Sequence, residues 1–239
     1  MAQSPFHGKR IGITGARGAL GAALARCFRA AGAHVIGFTH SSTPEEQADG
    51  PHRWVNWSCG QEASLDAELV EIDVLVLNHG INPQGNQSPE VINQTLEINT
   101  LSSWRLMQRF EAISRGAPGG CPREMWINTS EAEIQPAISP VYELTKRMLG
   151  QLVSIRGAVL DEQGRAALVL RKLVLGPFRS SLNPIGVMDA DFVAAQVLRQ
   201  AGWGLRLVIV TPNPLTYALM PLSELGRRVY SRILSRPDP

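Results

Sequence analysis

The stretch from Ile11 to Gly21 reads IGITGARGALG, in which a short apolar run passes through glycines into an alanine-rich segment. An apolar run followed by helical spacing predicts a strand that turns directly into a helix. Gly15 permits a tight bend, and Gly21 lets the helix pack close to the strand. Gly18 or Ala19 lets a pyrophosphate approach the amides at the helix N-terminus. The stretch therefore predicts a dinucleotide-binding turn, although an ordinary tight turn would use the same glycines.

The rest of the chain alternates apolar runs with helical segments, which is typical of a parallel sheet covered on both faces. We therefore expect a single α/β domain with a doubly wound (Rossmann), seven-stranded parallel sheet over residues 1–212, followed by an amphipathic extension over 213–239. Ligands of such sheets bind beyond the carboxyl ends of the strands. The pattern predicts strands over 10–14, 34–38, 53–57, 73–77, 125–129, 166–175 and 205–210, and helices over 18–31, 89–114, 140–161 and 189–201.

The composition excludes several classes of protein. The 239 residues are 44% hydrophobic and 18% charged, a globular balance, and the net charge of +2 gives no reason to expect nucleic acid as a partner. Cys27, Cys59 and Cys121 lie far apart without metal-ligand spacing, so we expect free thiols and no metal. The N-terminus lacks the apolar segment of a signal peptide, and no apolar run is long enough to span a bilayer. These features predict a cytoplasmic protein.

The end of the second strand indicates which dinucleotide would bind. Asp or Glu usually stands there in NAD sites and binds the ribose hydroxyls, but this chain has Thr39. Thr39, Ser41 and Ser42 can donate hydrogen bonds to a 2′-phosphate, and Arg17 can add positive charge. The pattern favours NADP(H) over NAD(H), although Arg17 and His40 would also suit a solvated loop.

A second group of residues carries proton-transfer chemistry. The strand over 125–129 ends at Ser130, and Tyr142 and Lys146 are four residues apart on a predicted helix, so they share one face. A nearby ammonium stabilises phenolate, so we expect Lys146 to lower the pKa of Tyr142 and let it exchange a proton with a substrate oxygen. Ser130 can hydrogen-bond the same oxygen. A solvated pair on a helix surface would have the same spacing.

Together these motifs resemble the short-chain dehydrogenase/reductase family over residues 8–212. Thr14–Gly21 resembles its TGxxxGxG turn, with Ala19 in place of a glycine. NHG over 78–80 resembles its NAG element, EINT over 97–100 its helix with an active-site Asn, and LGPFRS over 175–180 its PGxxxT stretch.

The resemblance implies a catalytic set of Asn99, Ser130, Tyr142 and Lys146. In the family the Asn holds a water that relays protons to the Lys, which also binds the nicotinamide ribose. Asn56 lies about where the family has an adenine-contacting Asp. The implied cofactor-binding residues are Thr14, Gly15, Arg17, Gly18, Ala19, Leu20, Gly21, Thr39, His40, Ser41, Asn56, Asn78, Gly80, Tyr142, Lys146, Gly176, Phe178 and Ser180.

The function that this resemblance implies is NADP(H)-dependent reduction of a carbonyl or oxidation of an alcohol, as in a carbonyl reductase. One alternative is a non-catalytic NADP(H)-binding redox sensor. Another is a nucleotide-sugar epimerase or dehydratase of the same superfamily, which we disfavour because the short C-terminal region leaves little room for a sugar-nucleotide domain. The expected substrate is a small carbonyl or alcohol whose identity stays open, and the expected assembly is a homo-oligomer.

Two regions depart from the family pattern. The segment after Gly176 is short, which predicts an open substrate site whose candidate lining residues are Ile134, Gln135, Pro136, Arg179 and Asn183; Glu131 and Glu133 are expected to face solvent. The segment 215–234 predicts a basic amphipathic helix that packs on the domain or on another subunit, or lies on an anionic membrane surface. Its apolar side has Leu222, Leu225, Val229 and Ile233, and its basic side Arg227, Arg228, Arg232 and Arg236.

Overall fold

Seven parallel strands form one sheet in the computed structural model, which describes residues 3–41, 49–117 and 121–234. The strands lie in the order β3-β2-β1-β4-β5-β6-β7, and every neighbouring pair is parallel. This order confirms the predicted doubly wound α/β fold. The strands are β1 Arg10–Thr14, β2 His34–Thr39, β3 Arg53–Asn56, β4 Val74–Leu77, β5 Arg123–Ser130, β6 Leu168–Leu175 and β7 Leu207–Val210.

The helices follow the predicted positions, with two additions and one interruption. The additions are the short helices α2 and α6, and the predicted helix over 89–114 is divided by a π-helical segment, Glu97–Leu101. Single π turns inside helices often mark functional positions. The helices are α1 Ala19–Ala30, α2 Asp66–Leu69, α3 Pro89–Leu96, α4 Ser102–Gly116, α5 Pro140–Val159, α6 Glu162–Ala167, α7 Ala190–Gly202 and α8 Pro214–Leu234.

Each face of the sheet carries its own apolar core. Successive side chains of β5 alternate between them, because a strand presents neighbours to opposite faces. Trp126 packs with Phe6 and Phe28 in the core that includes α1 and α7, whereas Ile127 packs with Phe110 in the core that includes α4 and α5. Because the sheet is buried on both faces, the strand ends at its carboxyl edge are held in place. The turns after the strands meet at this edge.

The C-terminal helix α8 packs along α5 and β7 and buries Met220. Pro221 lies inside this helix. Of the helices in the described part of the chain, none has both the length and the hydropathy needed to cross a bilayer. Arg236 and Ser42, which the sequence interpretation used, lie outside the described residues.

Candidate active site

A cavity of about 1300 Å³ opens at the carboxyl edge of the sheet. Its walls come from the turn after β1, the ends of β2 and β5, the loop after β4, the start of α5 and the segment after β6. The predicted site residues that line it are Gly15, Arg17, Gly18, Ala19, Leu20, Thr39, His40, Ser41, Asn78, Gly80, Ser130, Tyr142, Lys146, Gly176, Phe178 and Ser180. The sequence motifs therefore meet in one place.

The turn after β1 is packed too closely at Gly15 and Gly21 to hold a side chain at either position. Gly15 has φ +63°, and a Cβ there would lie 2.9 Å from the Cα of His79. A Cβ on Gly21 would collide with the carbonyl oxygen of Gly15. Gly18 precedes α1 without a side-chain cap, so the first amides of the helix are left for an anion. This geometry fits the pyrophosphate of a dinucleotide.

Thr14 and Gly21 support this turn from behind the cavity wall. The buried Thr14 Oγ1 donates to the carbonyl of Val76 at 3.2 Å and accepts from the backbone amide of Asn78 at 2.9 Å. Burial, helped by the charge of Lys146, lowers the pKa of His79 to about 4. His79 is therefore neutral near pH 7 and packs against Thr14 through Nδ1 at 2.8 Å.

Ser130, Tyr142 and Lys146, the three groups predicted to transfer protons, lie together on one wall of the cavity. The Ser130 side chain lies close enough to the Tyr142 hydroxyl to favour the ionised phenol. The buried Lys146 donates from Nζ to the carbonyl of Asn128 at 3.1 Å, and Nζ lies 5.7 Å from the centroid of the Tyr142 ring. The strand end, the helix and the cavity therefore bring the three predicted groups together.

Burial dominates the ionisation of this wall. It raises the pKa of Tyr142, which the hydrogen bond with Ser130 opposes. It also lowers the pKa of Lys146 to about 8, against the attraction of Glu133. The net pKa of Tyr142 is therefore raised in this structure and not lowered, because loss of water around the phenol is the largest influence on it. The help expected from the Lys146 ammonium stays a prediction.

Asn99 lies in the π-helical segment and is fully buried, so its side chain does not line the cavity. Oδ1 accepts from the amide of Ile81 at 2.8 Å, while Nδ2 donates to the carbonyl of Ile81 at 2.9 Å and to Thr145 Oγ1 at 3.0 Å. The Asn99 amide thus connects the loop after β4 to Thr145 on α5, the residue before Lys146. The water-holding role stays a prediction.

The end of the cavity beside β2 holds the candidates for the 2′-phosphate. Arg17, His40 and Ser41 line it, and Thr39 Oγ1 accepts from the amide of Ser41 at 3.2 Å. Asn56 does not line the cavity, because its Nδ2 donates to the carbonyl of Ser41 at 3.1 Å and holds that turn. Asn56 therefore shapes the turn from outside.

The opposite end of the cavity would receive a substrate. Of the predicted lining residues Pro136 and Asn183 are present, but Ile134, Gln135 and Arg179 are not. Gln135 instead binds Asn213 and Thr216 at the start of α8.

The two acidic residues after Ser130 differ from the prediction. Glu131 lines the cavity and accepts a hydrogen bond from Thr211. Glu133 is buried against Lys172 at 2.7 Å, so its predicted exposure to solvent is wrong. A charged side chain in a short loop gives no indication of a buried partner 39 residues along the chain.

Several lining residues were missed, and apart from Glu97 and Ile98, which belong to the EINT segment, they lie in none of the quoted motifs. Asn82 and Gln84 follow β4 and donate to the carbonyl of Leu182 at 3.2 and 3.1 Å, which ties the loop after β4 to the segment after β6. Their position beyond a strand end was the available signal. The other missed residues include Trp57, Ser58, Cys59, Gln94, Glu97, Ile98, Ile138, Ser139, Ser181, Leu182, Pro184 and Ile185.

Comparisons with known proteins agree on the fold and identify the family more closely. The model of the NAD dependent epimerase/dehydratase family matches residues 11–153. Monoglucosyldiacylglycerol epimerase from Synechocystis sp. is 42% identical over 236 residues, which are 97% of this chain and 56% of that protein. The chain thus spans little more than half the length of this curated relative.

Two solved structures show the fold alone, because their sequences are distant. Ligand-free aldohexose dehydrogenase from Thermoplasma acidophilum has a TM-score of 0.72 at 15% identity and covers 99% of this chain and 100% of its own. A short chain dehydrogenase from Burkholderia cenocepacia J2315 in complex with NADP has a TM-score of 0.75 at 17% identity and covers 97% of this chain and 99% of its own. They confirm the resemblance to the short-chain dehydrogenases.

The prediction of a carbonyl reductase or alcohol dehydrogenase is wrong. The matched family and the 42% identical relative are both described as epimerases. The predicted proton transfer by Ser130, Tyr142 and Lys146 would serve equally in a reaction that oxidises an alcohol and then reduces the ketone again, so the prediction of these residues did not distinguish the two outcomes. The short C-terminal region was a poor reason to disfavour an epimerase, since the relative is named for a lipid and not for a sugar nucleotide.

Proposed function

Because this chain belongs to the NAD dependent epimerase/dehydratase family, we propose that it inverts one hydroxyl-bearing carbon in the sugar of a glucosyl diacylglycerol. The observation that carries the proposal is the 42% identity to a monoglucosyldiacylglycerol epimerase over 97% of the chain. The convergence of Ser130, Tyr142 and Lys146 on one cavity supplies the chemistry that such an inversion needs.

C4 is the ring carbon that suits this cavity. C2, C3 and C4 of a glucoside carry free secondary hydroxyls, whereas C1 carries the bond to the lipid. C4 lies across the ring from C1, so it reaches Tyr142 most deeply while the lipid points out of the mouth. Inversion at C4 converts the glucosyl lipid into a galactosyl lipid.

The side chains of the wall perform the proton transfers. Ser130 holds the C4 oxygen by a hydrogen bond, and Tyr142 takes the hydroxyl proton as the ketone forms. A nicotinamide dinucleotide, when bound in the glycine cradle, supplies a reversible hydride acceptor. After the ring has presented its other face, Tyr142 returns a proton to the oxygen and the hydroxyl has the opposite configuration. The cycle produces no net oxidation, and the cavity walls keep the ketone from water.

Isotope retention tests this proposal. The purified protein with NADP⁺ is given glucosyl diacylglycerol in detergent micelles, with deuterium in place of hydrogen at C4. We expect galactosyl diacylglycerol by chromatography and mass spectrometry, with the deuterium still at C4 and no net accumulation of NADPH. Loss of the label to solvent, or stoichiometric NADPH, would show that another reaction occurs.

We also propose that NADP(H) is the preferred dinucleotide. The proposal is supported by Thr39 at the position where NAD sites carry an acid, and by Arg17 and His40 at the same end of the cavity. A guanidinium is the side chain best suited to a phosphate.

Arg17→Ala is therefore expected to weaken NADP⁺ binding by about 10- to 100-fold, the equivalent of one charge-assisted hydrogen bond, and to change NAD⁺ binding by less than about twofold. Isothermal titration of both dinucleotides measures the two values. Arg26→Ala is the matched control, because Arg26 lies on α1 and pairs with Asp191 outside the cavity. An equal loss for both dinucleotides would remove the assignment of Arg17 to the 2′-phosphate.

The lowered pKa of Lys146 predicts the pH dependence of the reaction. Below about pH 8 the ammonium is charged and favours ionisation of Tyr142; above that pH it loses its proton and this help disappears. We expect kcat/KM to fall as the pH rises through about 8. Lys146→Arg keeps a positive charge and should lack that alkaline fall, even if its rate is lower. A pH–rate profile with the same alkaline limb in both proteins would contradict the role given to Lys146.

A further inference from the structure

Helix α8 packs with its polar residues inward and its large apolar residues outward. Thr216, Glu224 and Ser231 are buried together with Met220. Helices of soluble domains ordinarily do the reverse. We call the exposed apolar side the outer face of α8; its residues are Leu215, Leu219, Leu222, Leu225, Val229, Tyr230 and Ile233.

The orientation of α8 is fixed by its buried contacts. Glu224 accepts from Lys172 Nζ and from Ser154 Oγ, both at 2.7 Å. Thr216 Oγ1 accepts from Gln135 Nε2 at 2.7 Å. A rotation that buried the leucines would leave the Lys172 charge without this carboxylate, which is costly inside a protein. The buried contacts of Glu224 and Thr216 therefore hold the outer face toward solvent. An exposed apolar face of this kind marks a surface that binds a partner.

A second exposed apolar group surrounds the mouth of the cavity. We call it the rim; its residues are Ile138, Leu182, Ile185 and Val187, of which Ile138 is 86% and Ile185 72% exposed. Ile138, Leu182 and Ile185 also line the cavity.

The rim and the outer face of α8 adjoin. Gln135, three residues before Ile138, binds Asn213 directly before α8. Gly176, at the base of the segment that carries the rest of the rim, packs against Thr211. The rim and the start of α8 therefore lie near each other on the protein.

We propose that the rim and the outer face of α8 form one docking surface for the interface of a lipid bilayer. The proposal rests on the proposed function only for the identity of the lipid that enters the cavity. A diacylglycerol glycoside keeps its acyl chains in the bilayer, so its sugar reaches Tyr142 only if the cavity mouth lies against the headgroups. Exposed leucines and isoleucines provide the apolar contact that interfacial helices use.

The charges near this surface favour an anionic bilayer. Arg179 is exposed in the segment that carries the rim, and Arg228 is exposed on α8. Basic side chains beside an apolar face bind anionic headgroups. A second copy of the chain seated on the same surface would cover the mouth through which the substrate enters, so a bilayer fits better than a dimer.

Vesicle flotation tests the proposal. Purified protein is mixed with vesicles of phosphatidylcholine and phosphatidylglycerol in equal parts and centrifuged through a density gradient. We expect the wild type to float with the vesicles, and Leu215→Glu/Leu222→Glu to bind about tenfold or more weakly, since each leucine withdrawn from water contributes roughly a factor of ten. The matched control, Val70→Glu/Trp203→Glu, adds the same two charges at exposed apolar residues that precede β4 and β7, at the other edge of the sheet. It should float as the wild type does.

The outcomes distinguish a bilayer from a second copy of the chain on this surface, and they distinguish the docking surface from the proposed function. A wild type that stays at the bottom of the gradient, or an α8 variant that floats equally well, would overturn the docking surface. Light scattering that gives twice the mass of the chain, reduced to one mass in the α8 variant, would assign the surface to a second copy. Circular dichroism checks that the variant is folded; if it is not, Leu222→Ser is used instead.

Activity completes the separation. The α8 variant should keep its rate on glucosyl lipid in detergent micelles and lose at least about tenfold on lipid in vesicles, in proportion to its binding. An absence of sugar inversion in micelles by the wild type would remove the proposed function and leave the flotation result standing. Equal rates of the variant and the wild type on vesicles would contradict the docking surface and leave the proposed function unaffected.

Discussion

Tyr142→Phe is expected to reduce kcat for sugar inversion by about 10²- to 10⁴-fold, the range that positioned acid–base groups contribute. The substitution removes one oxygen atom and leaves the ring, so the wall of the cavity keeps its shape. Both half-reactions pass their proton through this hydroxyl, and neither Ser130, which only holds the oxygen, nor Lys146, which binds Asn128, replaces it. The measurement is conversion of the glucosyl lipid in micelles under saturating substrate.

The control is Tyr230→Phe, because Tyr230 is 69% exposed on α8 and does not line the cavity. It should leave kcat unchanged. NADP⁺ binding should be kept within about threefold in Tyr142→Phe, which separates a chemical defect from a loss of cofactor. A Tyr142→Phe enzyme with wild-type kcat would refute the mechanism.

Lys172→Met is expected to cost about 3–5 kcal/mol of unfolding free energy, as breaking a buried ion pair from one side does. Lys172 Nζ donates to Glu133 and Glu224, each at 2.7 Å, to the carbonyl of Gly150 at 2.8 Å and to Ser154 at 3.0 Å. Without the ammonium, Arg227 is the cation that remains paired with both buried carboxylates among the described residues. Urea unfolding with an unchanged slope gives the difference.

Arg53→Met provides the comparison, because Arg53 pairs with Glu68 on the surface. Its loss should cost less than about 1 kcal/mol, the value of exposed pairs. Glu224→Gln should fall between the two variants, since the amide still accepts from Lys172. Equal stabilities of Lys172→Met and Arg53→Met would show that the buried cluster contributes little.

The same cluster makes the stability of the fold depend on pH in the acidic range. Burial acts to raise the pKa of Glu224, but Lys172 and Arg227 outweigh it and the net pKa is lowered. Glu224 therefore stabilises the fold above its ordinary pKa of 4.5, and this contribution is lost as the pH falls through the lower folded value.

The strands and the cofactor cradle could be predicted because each depends on local sequence. Val74–Leu77 is apolar throughout since both of its faces are buried, and Gly15 marks a turn that only glycine adopts comfortably. Tyr142 and Lys146 were found because helical spacing alone places them on one face.

The remaining features depend on contacts between distant segments. Lys172 meets Glu133 and Glu224, residues on three separate elements, and nothing in the spacing of these residues predicts their meeting. The apolar pattern of α8 predicted the helix correctly. It did not predict which side of the helix is buried, because the buried contacts of Glu224 decide that. The reaction outcome was missed for a chemical reason: one proton-transfer set serves both net reduction and inversion.

The position of Glu224 late in the chain has a consequence for biosynthesis. A chain is synthesised from its N-terminus, so the strands through β6 are made before α8. Until residue 224 emerges, Lys172 has only Glu133 as a carboxylate partner from the preceding elements, and the loop after Ser130 lacks the contacts of Gln135 with α8. The loop after Ser130 therefore gains the contacts that Gln135 makes with α8 only when that helix packs, which is also when the proposed docking surface takes shape.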